Sequence, residues 1–208
     1  TNHEEDIVSL DIHPNGYTVA TGQMAAKGKA KSIDLFVWNV NKLPEETNVL
    51  ASDRSKIPSG VINLPGKLDR AIRFLKFSPD GKKLLGNGQD DNNSVAIWDT
   101  SNLNNIIFIK SEKTVPSPVS MNQKNPYPAV LDITWKNNNE FVVVGPQLIK
   151  FFKINGRNVT STKGVIKKIN PILFSSCSAF GGTIITGSAT GEVVSWTGSN
   201  SGSAKTIH

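Results

Sequence analysis

Ala71–Asp99 reads AIRFLKFSPDGKKLLGNGQDDNNSVAIWD, and this stretch decides the fold. Ala71–Phe77 has the composition of a short strand. Ser78-Pro79-Asp80-Gly81 is a turn, because proline presets φ and glycine tolerates the left-handed region. Lys82–Gly86 is a second strand, Gly88–Asn93 a polar loop, and Ser94–Trp98 a third strand closing on Trp98-Asp99. Strand, turn, strand, loop and a strand ending in Trp-Asp make three quarters of a β-propeller blade.

The same template recurs. In Ile7–Asn39, His13-Pro14-Asn15-Gly16 aligns with the Ser78–Gly81 turn and Trp38-Asn39 with Trp98-Asp99. Asn15-Gly16 is expected to supply the positive φ values of a tight hairpin. In Ala129–Lys153, Asn137-Asn138-Asn139 replaces the turn and Phe152 the tryptophan; in Cys177–Thr197, Gly181-Gly182 makes the turn and Trp196 ends the strand. The markers Trp38, Trp98, Phe152 and Trp196 stand 60, 54 and 44 residues apart, against the 40–45 or so of a WD-type blade, so the first two intervals hold insertions. The fold class is therefore all-β. Four consecutive four-stranded antiparallel blades, at about 7–64, 71–110, 129–163 and 172–197, are expected to form a single partial propeller over 1–208.

Val61–Leu64, Ile106–Ile109 and Asn158–Thr162 read as outer strands, and Val49–Leu50 is a further strand fragment. Thr114–Pro128, with four prolines, reads as a loop between blades. The GSNSGSAKTIH stretch after Trp196 is flexible by composition, which leaves the fourth blade without an outer strand. Four blades leave two flanks bare, with Ile7, Leu10, Ile184 and Ile185 near them, so self-association through the flanks is expected.

Composition narrows the class. No apolar run approaches the roughly 18–20 residues that span a bilayer, and Thr1–Asp6 does not read as a signal peptide. One cysteine, Cys177, forms no internal disulfide and suits a reducing compartment. The net charge of +6 is spread over many lysines and suits an acidic partner. No interleaved aromatic and basic pattern points to nucleic acid.

These blocks together resemble the echinoderm microtubule-associated protein-like family of WD-repeat proteins. The resemblance rests on HPNGYTVATGQMA (His13–Ala25), FSPDG (Phe77–Gly81), IKFFKINGRNVTSTKGVIKK (Ile149–Lys168) and GGTIITGSATGEVVSW (Gly181–Trp196). Their order is similar to the start of that family's first propeller, so the chain reads as a fragment. The resemblance implies a non-enzymatic, cytoplasmic protein of the cytoskeleton whose partner is tubulin or the microtubule. Departures from the repeat pattern include Thr190 where an acidic residue is usual, and Phe152-Lys153 in place of Trp-Asp.

Chemistry points the same way. His3, His13, His208 and Cys177 have no zinc-ligand spacing, and no nucleophile elbow, phosphate loop or carboxylate pair is present. Gly86-Asn87-Gly88 lacks the third glycine of a dinucleotide fingerprint, and Asp90–Asn93 lacks the glycine and distal glutamate of a calcium loop. No cofactor, metal, membrane or nucleic acid is expected. His3 reads as a structural hydrogen-bonding residue. Two classes remain: a tubulin-binding module, and a general interaction scaffold with unrelated partners. In a propeller, the loops between second and third strands and those entering each blade gather on one face. Lys27, Lys29, Lys31, Lys67, Arg70, Lys163, Lys167 and Lys168 fall in such loops and are the candidate contacts for an acidic surface.

Overall fold

Runs of five to eight residues rich in Val, Ile, Leu, Phe and Thr, separated by Gly, Asn and Asp, fold as antiparallel strands. The computed structural model describes residues 3, 5–25, 33–42, 61–90, 93–100, 130–145, 148–164, 174–188, 191–197 and 203–207. They form four sheets of the WD-repeat β-propeller type, divided between two compact units, Thr1–Ser111 and Glu112–His208.

The first unit holds two blades. β1 (Ile7–Ile12), β2 (Thr18–Gln23), β3 (Ile33–Asn39) and β4 (Val61–Leu68) pair in sequence order, with a 3-10 turn at Val40–Lys42. β5 (Ile72–Phe77), β6 (Lys83–Gly88) and β7 (Val95–Asp99) form the second blade. β4 runs past the expected Val61–Leu64. Leu35 pairs with Leu64 but Ile33 with Leu68, so the ladder slips across Pro65, which has no N–H to donate. The Val49–Leu50 and Ile106–Ile109 candidates, and the Thr114–Pro128 loop, lie outside the described residues.

The second unit repeats the plan. β8 (Asp132–Asn137), β9 (Glu140–Gly145), β10 (Leu148–Asn155) and β11 (Asn158–Lys163) form one blade. The next consists of β12 (Phe174–Phe180), β13 (Thr183–Ser188), β14 (Val193–Thr197) and β15 (Ser203–Ile207). β15 corrects the expectation of an incomplete fourth blade: Trp196 pairs with Ala204 and Val193 with Ile207. Its partner is the open edge of β14, a tertiary term that linker-like composition hides. Trp38, Trp98, Phe152 and Trp196 lie on β3, β7, β10 and β14, the third strand of each sheet.

Register sorts each sheet into two faces. In blade 1, Ile12, Val19 and Trp38 share one face with Leu10, Thr21 and Phe36; Asp11, Ala20 and Val37 share the other. The second face meets blade 2. Ala20, Ile33, Leu35 and Val37 pack with Ile72, Leu75, Phe77, Leu84, Ala96 and Trp98 in one core. The second unit has the same contact: Val142, Val144, Ile149 and Phe151 meet Ile184, Val194 and Trp196. The third-strand aromatic face of one blade thus rests on the aliphatic face of the blade before it. Ile184 is fully buried there, which corrects its placement on a bare flank.

Polar groups fix the sideways position. Asp11 on β1 accepts the Phe77 amide at 2.7 Å and pairs with Lys76 at 3.2 Å, and the Ser9 hydroxyl donates to the Ile72 carbonyl at 2.5 Å. Asp132 on β8 accepts the Cys177 amide at 2.9 Å. His13 reaches from the first turn to the second. Its Nδ1 accepts the Asn15 amide, so its Nε2–H donates to the Gly81 carbonyl at 3.1 Å, while its ring meets Phe77 edge-on. Gly81, at φ +71°, leaves no room for a Cβ beneath that imidazole. The positive φ of the first turn falls on Gly16, whereas Asn15 uses its side chain to accept the Tyr17 and Thr18 amides. At the second turn, burial pushes the Asp80 carboxyl up, but the Ser78 hydroxyl, the Lys82 amide and the charges of Lys83 and Lys82 hold it below the usual range.

Two of the marker tryptophans, Trp38 and Trp196, are satisfied through the second strand. Trp38 Nε1 donates to Thr21 Oγ1 at 2.6 Å, and Trp196 Nε1 to Thr186 Oγ1 at 2.9 Å. In blade 1 the chain continues: the Thr21 hydroxyl meets His3 Nε2 at 2.6 Å, and His3 Nδ1 lies 2.8 Å from Gln23 Oε1. His3 is a buried structural group, edge-on to Phe36. In blade 3 the threonine position is Val143 and the aromatic is Phe152, stacked on Phe141 with centroids 4.6 Å apart. In blade 2 the position is Gly86, whose missing Cβ makes room for the Trp98 ring. The residue two past the aromatic's partner and the aromatic itself are chosen together.

Two outcomes follow. Thr186→Val strands a buried indole N–H and is expected to cost about 1–3 kcal/mol in urea unfolding. Adding Trp196→Phe, the blade 3 combination, should cost less than the sum of the two changes by about 0.5–3 kcal/mol. For His3, burial lowers the imidazole pKa and the Gln23 hydrogen bond opposes this. A folded pKa below the unfolded value gives stability that is full above about pH 6.5 and is lost as pH falls through that value and below. Melting temperatures between about pH 7.5 and pH 5 should therefore fall more steeply for the wild type than for His3→Gln. Parallel curves would remove His3 from that role.

Candidate functional site

Antiparallel order brings three features to one end of each sheet: the β2–β3 connection, the end of the outer strand and the entry to the inner strand. In blade 1 the pairs Ile7–Gln23, Gly22–Leu35 and Ile33–Leu68 mark that end. Segment 26–32, with Lys27, Lys29 and Lys31, lies outside the described residues, but its anchors are fixed. The Ala25 amide donates to the Arg70 carbonyl at 2.6 Å, Met24 bridges Ala71, and Ile33 pairs with Leu68. Lys67 lies on β4 at the same end.

Arg70 is exposed and sits at φ +64°, an uncommon conformation for a side chain of its size. Its neighbours impose it: the Ala71 amide bonds the Asp69 carbonyl at 2.8 Å and the Gln89 amide bonds Ala71 at 3.0 Å. The exposed acids Glu5, Asp6 and Asp69 share this end.

In the second unit Lys163 is exposed at the last position of β11, directly across from Lys150. Two facing ammonium groups repel and together create a local positive spot. Lys150 lies 5.1 Å from the Phe152 ring centroid, a cation–π contact that holds it on the sheet. Sequence reading missed Lys150. The signal was the Asn155-Gly156 hairpin, whose register sets Lys150 opposite Lys163. Lys167 and Lys168 lie outside the described residues.

The remaining polar clusters are structural. Asp90 accepts the Ser94 amide at 3.1 Å and the Ser94 hydroxyl at 3.0 Å, closing the loop before β7. Among the described residues no group of three or more His, Cys, Asp or Glu could hold a metal ion, and no helix is long and apolar enough to cross a membrane.

Known proteins resemble this chain in sequence and fold. The family described as "WD domain, G-beta repeat" matches residues 60–99, which covers β4 to β7 and so takes the outer strand of one blade with three strands of the next. Over 203 residues, 93% of this chain, it is 27% identical to echinoderm microtubule-associated protein-like 2 of Rattus norvegicus. It is 25% identical to the 77 kDa echinoderm microtubule-associated protein of Strongylocentrotus purpuratus over 94% of the chain, and 25% identical to echinoderm microtubule-associated protein-like 1 of Homo sapiens over 93%. The chain spans about a quarter of the length of these relatives: 27%, 26% and 22%. Its fold is similar to U3-55K at 12% identity (TM-score 0.61, 99% of this chain, 53% of that one). It is also similar to the computationally designed Ika4 protein at 13% identity (TM-score 0.56, 93% and 92%).

The Arg70 backbone can be tested. Arg70→Gly should leave stability within about 1 kcal/mol of wild type, whereas Arg70→Val should cost about 1–3 kcal/mol in urea unfolding. Equal losses would show that the left-handed conformation is not imposed.

Proposed function

We propose that this chain is a non-enzymatic interaction module, part of one propeller, that binds tubulin or the microtubule in the cytoplasmic cytoskeleton. The carrying observation is similarity over more than nine tenths of the chain to proteins named for microtubule association. Charge supports it. A +6 chain with Lys27, Lys29 and Lys31 in the sequence between β2 and β3, Lys67 and Arg70 where β4 ends, and Lys163 paired across from Lys150 suits a broad acidic surface. Such contacts steer encounter, and their strength falls as salt is raised. Lys167 and Lys168 continue the basic series of the second unit. A general scaffold with unrelated partners is the alternative reading, favoured by the acids Glu5, Asp6 and Asp69 at the same end.

Microtubule co-sedimentation tests this. Replacing Lys27, Lys29 and Lys31 with glutamate removes two charges at each position and takes the formal charge from +6 to 0. Binding should weaken by about tenfold at low salt, with folding changed by no more than about 0.5 kcal/mol. The control places the same charge change at the opposite end of the sheets, on the exposed Lys42, Lys82 and Arg157. That variant should keep most of the binding. Equal losses in both would reduce the effect to net charge, and no binding by the wild type would favour the scaffold.

A further inference from the structure

One face of blade 3 carries a pocket whose charges do not balance. Register builds its walls. Glu140 pairs with Lys153 and Lys153 with Thr160; two residues along, Val142 pairs with Phe151 and Phe151 with Thr162. Residues two apart on a strand share a face, so these side chains stand together. Lys136 joins them from β8, where the ladder shifts between Trp135 and Asn137, and such a shift re-aims a side chain. The pocket they line has a volume of about 130 Å³.

Two ammonium groups share one carboxylate there. Lys136 Nζ lies 3.3 Å from one Glu140 oxygen and Lys153 Nζ 4.0 Å from the other. The Lys136 side chain is only 14% exposed, so its stem is packed and its ammonium is held in place. Both cations against a single carboxylate leave one positive charge in excess. An added monoanion cancels that charge, whereas a dianion such as phosphate overshoots it and faces Glu140 as well. Val142 and Phe151 are buried and give the pocket an apolar floor, which suits a charge carried on a short hydrocarbon stem. Thr160 and Thr162 are exposed at the rim, where their hydroxyls can donate. A cavity of roughly 150 Å³ holds a benzene, so this one holds a single side chain.

We propose that this pocket binds the side chain of a glutamate presented by a partner peptide. Its methylenes lie on Phe151 and Val142, and its carboxylate sits between Lys136 and Lys153. The pocket belongs to the end of blade 3 where Asn155 pairs with Asn158, and Lys150 pairs with Lys163 at the other end. It is therefore a second site, separate from the basic segments assigned to the microtubule.

Titrating the isotope-labelled chain with N-acetylglutamate N-methylamide at low salt, followed by amide chemical shifts, tests this. Saturable shifts should centre on Lys136, Thr160 and Thr162, with a dissociation constant of about 1–5 mM, as befits a ligand of about a dozen non-hydrogen atoms. The glutamine analogue should not saturate. Lys136→Met should abolish binding, and Lys153→Gln, at an exposed position, should weaken it by about three- to tenfold. Glu140→Gln should tighten it by about threefold or more, because the excess charge doubles; a Lys–Glu pair with a purely structural role would not do this. If Lys136→Met does not fold, the other two variants carry the test. Equal binding of the glutamine analogue, tighter binding of inorganic phosphate, or shifts centred on Lys150 and Lys163 would each overturn the proposal. So would the absence of any saturating shift.

Discussion

Everything in this fold rests on the contact between an aromatic face and an aliphatic face of successive sheets. A single four-stranded sheet has two surfaces and cannot bury either by itself. Stacking solves this once per pair: Trp98 and Leu84 against Leu35 and Val37, Trp196 and Ile184 against Val142 and Ile149. Apolar burial is non-directional, so it does not fix how far one sheet slides over the next. The carboxylates of Asp11 and Asp132 supply that direction by accepting single amides of the neighbouring inner strand.

Much of this was legible in the sequence. The Ser78–Gly81 turn, the Trp98-Asp99 ending and their echoes fix strand order, because turn chemistry and closing aromatics are local signals. Two things were not legible. β15 looks like linker because Ser203–Ile207 has little apolar content; it becomes a strand through the open edge of β14. Ile184 looks like a flank residue because it lies near the chain end, yet the face it occupies is decided by pairing with Trp196 and Ala179. Strand parity decides burial, and proximity to a terminus does not.

Lysine-rich connecting segments are legible as composition, but which of them gather into one surface is not. Counting lysines in connecting segments locates Arg70 and Lys163, since antiparallel order alone sends those segments to one end. It does not show the acids that share the end, nor Lys150, which reaches it through a cross-strand pair. The conformation of Arg70 carries no sequence signal, because glycine is the residue that usually marks it.

In blades 1 and 4 the pairing of the third-strand tryptophan with a hydroxyl two residues along the second strand also constrains the order in which the blade can diverge; blade 2, with Trp98 beside Gly86, follows a different solution. If threonine is lost first, the indole N–H is stranded in a dry core. If tryptophan becomes phenylalanine first, the hydroxyl still has the carbonyl across the ladder, as Thr21 has that of Phe36 at 3.5 Å. The route that avoids an orphan donor passes through Phe–Thr and reaches Phe–Val second. Blade 3, with Phe152 and Val143, has the sequence expected at the end of that route, and blades 1 and 4 have the sequence at its start.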